Sequence, residues 1–95
     1  MSNRDAYEQK LQAKLDEWRA EIDKLRAKAR GAEADARIER EKEADRLEAK
    51  REEVRQKLKE MREAGDDAWD DIREGAEHAW KSFSESFEKA RDRFK

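Results

Sequence analysis

Residues 7–36 read YEQKLQAKLDEWRAEIDKLRAKARGAEADA, and their apolar side chains recur at steps of four and three residues. This spacing is typical of the a and d positions of a coiled-coil helix, and it does not match the alternation of a strand. The large side chains of this stripe are Tyr7, Leu11, Leu15, Trp18, Ile22 and Leu25. The stripe then continues only through Ala29, Ala32 and Ala36, so the pattern predicts a helix with a thin middle.

A second apolar stretch follows this alanine-rich middle. Its large side chains are Leu47, Val54, Leu58 and Met61. Acids and bases lie three or four residues apart through the middle and this second stretch, for example Glu33 with Arg37 and Glu53 with Lys57. Each such pair stabilises a helix by about 0.2–0.5 kcal/mol. We therefore predict one long, charged coiled-coil helix over residues 1–64.

Gly31 and Gly65 interrupt the helical pattern, and their surroundings favour different outcomes. No Pro, Asn or Ser follows Gly31 directly, and one glycine costs a helix interior only about 1 kcal/mol, so we expect the helix to continue. A break at Gly31 is the alternative, and it gives three helices of similar length. At Gly65 the next residues are Asp66 and Asp67, which are typical of a helix start, so we expect a break there.

Residues 66–94 repeat with a period of 11 residues, in the units DDAWDDIREGA, EHAWKSFSESF and EKARDRF. At about 100° per residue, the apolar positions of the three units fall within an arc of roughly 120°. The large members of this arc are Trp69, Ile72, Trp80, Phe83, Phe87 and Phe94. The sequence therefore predicts a shorter amphipathic helix within residues 65–95, with an aromatic face opposite a charged one.

The two segments together predict an all-α fold, a helical hairpin that forms one structural unit. A helix that folds back at Gly65 covers only the nearer half of the long helix. The stripe from Leu11 to Leu25 then stays exposed, and an apolar stripe of that length favours association. We expect a homo-oligomeric helical bundle, an antiparallel dimer or a higher oligomer, in which a second copy covers the stripe. If Gly65 does not break the helix, a parallel or antiparallel rod is the alternative.

The composition argues against an enzyme. The chain has no Cys and a single His among 95 residues, and 53% of its residues are charged. No nucleophile is accompanied by a base and an orienting group, so we expect no catalytic residue, no cofactor and no metal ligand. The acidic residues after Gly65 suit the electropositive start of a helix, and His78 suits a solvated surface.

Charge and hydropathy limit the partners. Twenty-four bases stand against 26 acids, and a net charge of −2 gives no footprint for nucleic acid. No segment is apolar enough to span a bilayer and no signal sequence is evident, so we expect a cytoplasmic location. A protein partner is one candidate. A membrane surface is another, but it is disfavoured because residues 66–95 hold nine acids and six bases, which anionic headgroups repel.

Residues 2–39, which begin SNRDAYEQKLQAKLDEW, and residues 66–94 resemble the two ends of a family of small, highly charged bacterial coiled-coil proteins of the stress response. The resemblance covers nearly the whole chain. It implies a soluble bacterial protein with a role in stress tolerance and carries over no catalytic residue. Gly31 departs from the family pattern, which has no glycine in the middle of the long helix, so a bend stays open there.

We therefore expect a non-enzymatic coiled-coil protein that acts through structural or protein–protein contacts. The alternative is a reversible binder of membrane surfaces or unfolded clients through the amphipathic helix. The side chains that distinguish the two are Trp69, Trp80, Phe83 and Phe87. A structural role keeps them buried in the free protein, whereas a binding role leaves them accessible.

Overall fold

Three α-helices form the structure, a computed structural model that describes residues 3–93 of the chain. The helices are α1 (Asn3–Arg30), α2 (Ala34–Glu63) and α3 (Asp66–Arg93), and the described residues contain no strand. α2 runs antiparallel to both α1 and α3 in a bundle that measures 50 × 20 × 18 Å. The all-α prediction is confirmed, and the helices pack as a helical bundle.

The long helix predicted over residues 1–64 is wrong, because the chain reverses direction between α1 and α2. Gly31 and Ala32 keep tight helical hydrogen bonds to carbonyls three residues back, at 3.2 and 3.1 Å. Glu33 then leaves the helical region with φ −62° and ψ 157°. Local propensity favours continuity here, but tertiary packing routinely overrides propensity. The turn lets the apolar stripe of α1 pack against the other two helices.

The predicted break at Gly65 is confirmed, since α2 ends at Glu63 and α3 begins at Asp66. Ala64 has extended backbone angles, φ −79° and ψ 147°. The carbonyl of Gly65 accepts a hydrogen bond of 3.0 Å from the N–H of Trp69, which starts the third helix. Acidic side chains occupy the first turn of α3, where the helix dipole favours negative charge.

The core runs along the bundle axis and takes apolar side chains from all three helices. α1 contributes Leu11, Leu15, Trp18, Ile22, Leu25 and Ala29. α2 contributes Ala44, Leu47, Val54, Leu58 and Met61. α3 contributes Trp69, Ala76, Phe83 and Ala90. Four more residues of the predicted seam and aromatic face are half-buried against this core: Tyr7, Ile72, Trp80 and Phe87. Phe94 lies outside the described residues.

The apolar stripe of α1 is buried within a single chain. Leu11 and Ile22 are fully buried, and Trp18, the most exposed of the larger members after Tyr7, is only 7% exposed. The prediction that a lone chain leaves this stripe exposed is therefore wrong, because the turn after α1 makes two helices available to cover it. Burial of the stripe is thus no reason for the chain to associate, and the oligomeric state stays a prediction.

Charged side chains pair along the outside of the helices. On α2, the guanidinium of Arg55 donates to both carboxylate oxygens of Glu52, at 2.8 and 2.6 Å. The side-chain amide of Gln56 donates to the same carboxylate at 3.0 Å. These hydrogen bonds, with that from Arg55 the largest cause, lower the pKa of Glu52 to about 2.

Replacement of Phe83 by Ala is expected to lower the free energy of unfolding by about 3–5 kcal/mol, because a fully buried ring leaves a cavity. Ile38→Ala is the matched control, since Ile38 is 51% exposed, and its effect is expected to stay within about 0.5 kcal/mol. Urea denaturation followed by far-UV circular dichroism measures both. If Phe83→Ala and Ile38→Ala lower the free energy of unfolding equally, α3 does not pack through Phe83.

Candidate interaction surface: the aromatic seam between α1 and α3

α1 and α3 run parallel on the same side of α2. Within residues 3–93, no Cα atom of α1 lies within 8 Å of a Cα atom of α3. Aromatic rings are large enough to bridge two helices whose backbones stay apart. Rings from both helices fill this space and are termed the aromatic seam: Tyr7, Trp18, Trp69, Trp80, Phe83 and Phe87.

Trp18 is the centre of the aromatic seam. Its ring stacks on that of Phe83, with centroids 4.0 Å apart and planes at 18°. It also meets Trp80 edge to face at a centroid distance of 5.5 Å. Phe87 extends the stack at 6.1 Å from Phe83. Trp80 and Phe87 are only half-buried, so the seam has a side that faces solvent.

Polar groups fix the geometry at the other end of the seam. Tyr7 meets Trp69 edge to face, with centroids 5.7 Å apart. The guanidinium of Arg73 lies 4.9 Å from the centroid of the Tyr7 ring, a cation–π contact. The indole N–H of Trp69 donates to the carboxylate of Glu8 at 3.1 Å, a charge-assisted hydrogen bond that orients the ring.

The hydroxyl of Tyr7 is buried, and the side chain of Arg73 approaches it without reaching normal hydrogen-bond geometry. Burial raises the pKa of Tyr7 above 10.0 and the carboxylate of Glu77 raises it further, whereas the positive charge of Arg73 and the approach of its side chain to the hydroxyl oppose both. A buried polar group without a partner costs a folded protein about 1–3 kcal/mol. The seam therefore carries one destabilising polar atom among its apolar contacts.

Arg4 ties the start of α1 to the junction between α2 and α3. Its guanidinium donates to the carbonyl oxygens of Met61 and Ala64, at 2.9 and 3.0 Å. It also donates to the carboxylate of Asp66 at 2.9 Å. Carbonyls at the end of a helix have no partner within that helix. Arg4 thus caps α2 and holds the first turn of α3 beside it.

A groove of about 390 Å³ opens on the solvent side of the aromatic seam. Its lining consists of Tyr7, Lys10, Glu77, Trp80, Lys81 and Ser84. The ammonium of Lys10 lies 5.8 Å from the centroid of the Trp80 ring. The groove thus combines two aromatic rings with charges of both signs, which suits contact with another protein surface.

Reactive and metal-binding side chains stay apart in the described part of the chain. Residues 3–93 contain no group of three or more His, Asp and Glu side chains placed to hold a metal ion. His78 is exposed. Ser82 accepts a hydrogen bond of 2.7 Å from the ammonium of Lys50. What the described residues offer chemically is a contact surface of rings and charges.

The sequence predicted the rings of the seam but missed its polar members, Arg4, Glu8 and Arg73. Arg4 and Glu8 act on residues of α3 that lie 62 and 61 positions further along the chain. Within one chain, the turn at Gly31 brings such positions together. A helical spacing of four does place Arg73 after Trp69, which is the one local signal for a contact between them.

No helix within residues 3–93 is both long and apolar enough to cross a bilayer. Comparison of the chain with protein-family models, with curated proteins and with solved structures found no match. The resemblance to bacterial stress-response proteins therefore stays a prediction.

Tyr7→Phe is expected to raise the free energy of unfolding at neutral pH by about 1 kcal/mol, because it removes the unpartnered hydroxyl and keeps the ring contacts. The pKa of folded Tyr7 lies above 10.0. The stability that depends on its neutral form is therefore complete below pH 10.0 and is lost as the pH rises through the folded-state pKa. Above pH 10.0, the free energy of unfolding of Tyr7→Phe should therefore exceed that of the wild type by a larger amount than at neutral pH.

Urea denaturation of both proteins at neutral pH and above pH 10.0 measures this difference. Tyr7→Leu is the control, because it removes the hydroxyl and the ring together and should destabilise the bundle. A Tyr7→Phe variant less stable than the wild type at neutral pH would mean that the hydroxyl has a hydrogen-bond partner.

Arg4→Lys is expected to destabilise the bundle by about 1–3 kcal/mol, because an ammonium keeps the charge but lacks the planar fork that reaches Met61, Ala64 and Asp66 together. Arg19→Lys is the matched control, since Arg19 is exposed on the same helix. Thermal melts followed by circular dichroism compare them. If both variants have the same unfolding midpoint as the wild type, the cap formed by Arg4 does not contribute to stability.

Proposed function

We propose that this protein is a non-enzymatic structural and interaction protein that self-associates and serves the bacterial stress response in the cytoplasm. The observation that carries the proposal is the burial of the aromatic face of α3. Phe83 is 0% exposed and Trp69 5% exposed, both packed beneath α1. A face held in this way is occupied in the folded chain, which supports a structural role for it.

The outer surface supports contacts with other proteins. Acids and bases alternate there in exposed pairs, such as Lys24 with Glu21 at 3.5 Å and Arg73 with Glu77 at 3.3 Å. Complementary charge of this kind speeds encounters and selects partners more than it adds affinity. Such contacts weaken with salt, since exposed charges are screened. The stress role itself rests on the resemblance of residues 2–39 and 66–94 to the stress-response family.

The second candidate is a reversible binder of membrane surfaces or unfolded clients through α3. The half-burial of Trp80 and Phe87 favours it, together with the separation of the α1 and α3 backbones along the seam. A bundle that opens along this seam releases a continuous aromatic face. Because residues 66–95 hold nine acids and six bases, an uncharged membrane or a basic client suits this face better than anionic lipid.

Tryptophan emission distinguishes the two functions. For a structural role, we expect blue-shifted emission that stays unchanged when phosphatidylcholine vesicles or a chemically unfolded client protein are added in excess. Trp80→Phe is the matched variant, because it removes the half-buried indole and leaves the two buried ones, Trp18 and Trp69. A spectral change on addition of vesicles or client that is reduced in Trp80→Phe would replace the structural role by the binding role.

A further inference from the structure

The α2–α3 hairpin binds α1 on one face, and the α1 of a second copy is an identical segment. We propose that two copies exchange α1: the turn at residues 31–33 straightens, α1 and α2 become one continuous helix, and each α1 occupies the same place on the partner's hairpin. This inference rests on the self-association in the proposed function and supplies its route. Each contact that α1 makes within one chain is made between two chains in the exchanged dimer.

The turn itself contains no obstacle to straightening. Gly31 and Ala32 already have the hydrogen bonds of a tight helical turn. Glu33 differs from a helical residue in its ψ of 157°, and its φ of −62° is already helical. No residue within 3–93 has a positive φ. A rotation about ψ of Glu33 is therefore one change that converting the turn into helix requires.

The sequence across the turn favours the straight form. Residues 28–40, KARGAEADARIER, consist largely of strong helix formers and contain no Pro. In the turned form the end of α1 and the start of α2 leave backbone groups without helical partners, and the side chain of Glu33 makes no capping hydrogen bond. A continuous helix pairs these backbone groups, and this gain offsets part of the entropy lost when two chains associate.

An exchanged dimer keeps the register of α1 on α2, and this register places its two-fold axis near the turn. The carbonyl of Leu15 accepts from Arg51 at 2.9 Å, and Arg4 donates to the carbonyl of Met61 at 2.9 Å. Both pairs are centred on Glu33 or within one residue of it. Two straightened helices aligned in this antiparallel register therefore cross at their own turn residues. Alanine side chains surround this crossing and permit a close approach: Ala29, Ala32, Ala34 and Ala36.

The contacts of Arg4 explain why α1 exchanges rather than α3. Arg4 caps the α2–α3 junction through Met61 and Ala64, and the partner's Arg4 makes the same bonds in the exchanged dimer. The hairpin of α2 and α3 is thus stabilised in both forms. The α1–α2 turn is stabilised by no capping side chain at Glu33, so it is the junction that opens.

Two substitutions shift the equilibrium in opposite directions. Ala34→Pro suits the turned form, because Ala34 is the exposed first residue of α2 and Glu33 before it already has the extended angles that precede proline. Proline in the middle of a continuous helix is strongly unfavourable. Gly31→Ala favours the straight form, and a Cβ at Gly31 meets only the carbonyl of Lys28, at 3.7 Å.

Light scattering after size-exclusion chromatography measures the mass of each variant over a broad concentration range. We expect Ala34→Pro to stay at 11.3 kDa and Gly31→Ala to reach twice that mass, with its association constant raised about tenfold or more over the wild type. Gly75→Ala is the matched control. It adds the same helix propensity to α3, where the new Cβ makes an ordinary 3.5 Å contact with Lys57, and it should leave the association constant unchanged.

Energy transfer within one chain shows whether the dimer has exchanged α1. The chain has no cysteine, so dyes on Asn3→Cys and Asp67→Cys label it specifically. These positions flank the contact between Arg4 and Asp66 in the turned form, and a continuous helix separates them by about 90 Å. With the labelled chain diluted into an excess of unlabelled Gly31→Ala protein, we expect transfer to fall as the dimer forms.

A dimer in which transfer stays high would overturn the exchange of α1 and leave self-association by another surface in place. A chain that stays at 11.3 kDa in the wild type and in Gly31→Ala would overturn both the exchange and the self-association in the proposed function. An Ala34→Pro variant that dimerises as readily as the wild type, with transfer still falling, would mean that the turn is not the hinge.

Discussion

The stacking of Trp18 on Phe83 joins two helices whose backbones do not approach each other, and the rest of the bundle depends on it. α2 alone covers only one side of the apolar stripe on α1. The aromatic rings of α3 cover the other side. With this stack in place, α1 lies beside the start of α3, and Arg4 reaches the α2–α3 junction.

The helical character of the chain and most of its apolar faces were predictable, because both depend on spacing within one helix. Leu11, Leu58 and Phe83 are buried as their periodicity predicts. The turn at Gly31 was not predictable in the same way. Its local sequence favours a continuous helix, and the energy that turns the chain comes from contacts between residues far apart in sequence.

The polar members of the seam were missed for the same reason. Glu8 is beside Tyr7 in sequence, but its partner is the indole of Trp69 in another helix. A two-helix topology places these residues far apart, whereas a three-helix topology aligns them. The break at Gly65 was predictable because its signals are local: a glycine followed by acidic residues at a helix start.

The turn between α1 and α2 has no capping side chain, whereas the aromatic seam binds α1 through many contacts. In the proposed exchange, the face of the α2–α3 hairpin that binds α1 therefore accepts either of two copies of this helix. When α1 leaves, the hairpin exposes Leu47, Leu58 and Trp80 in one face. In the exchange proposed above, the α1 of the same chain and the α1 of a second copy compete for that face. The concentration of each competitor therefore determines which state is populated, as for any linked binding equilibrium.

An odd number of antiparallel helices has a mechanical consequence. Arg4 lies at the end of the bundle where α2 meets α3, and Arg93 reaches Glu43 toward the other end, where α1 meets α2. A tension applied between the first and last helices therefore acts along the bundle axis. This tension pulls α1 and α3 past each other, so the aromatic seam is loaded in shear. All of its ring contacts then resist together, whereas a force across the axis would break them one at a time. The start of α1 and the end of α3 are thus separated by most of the 50 Å length of the bundle.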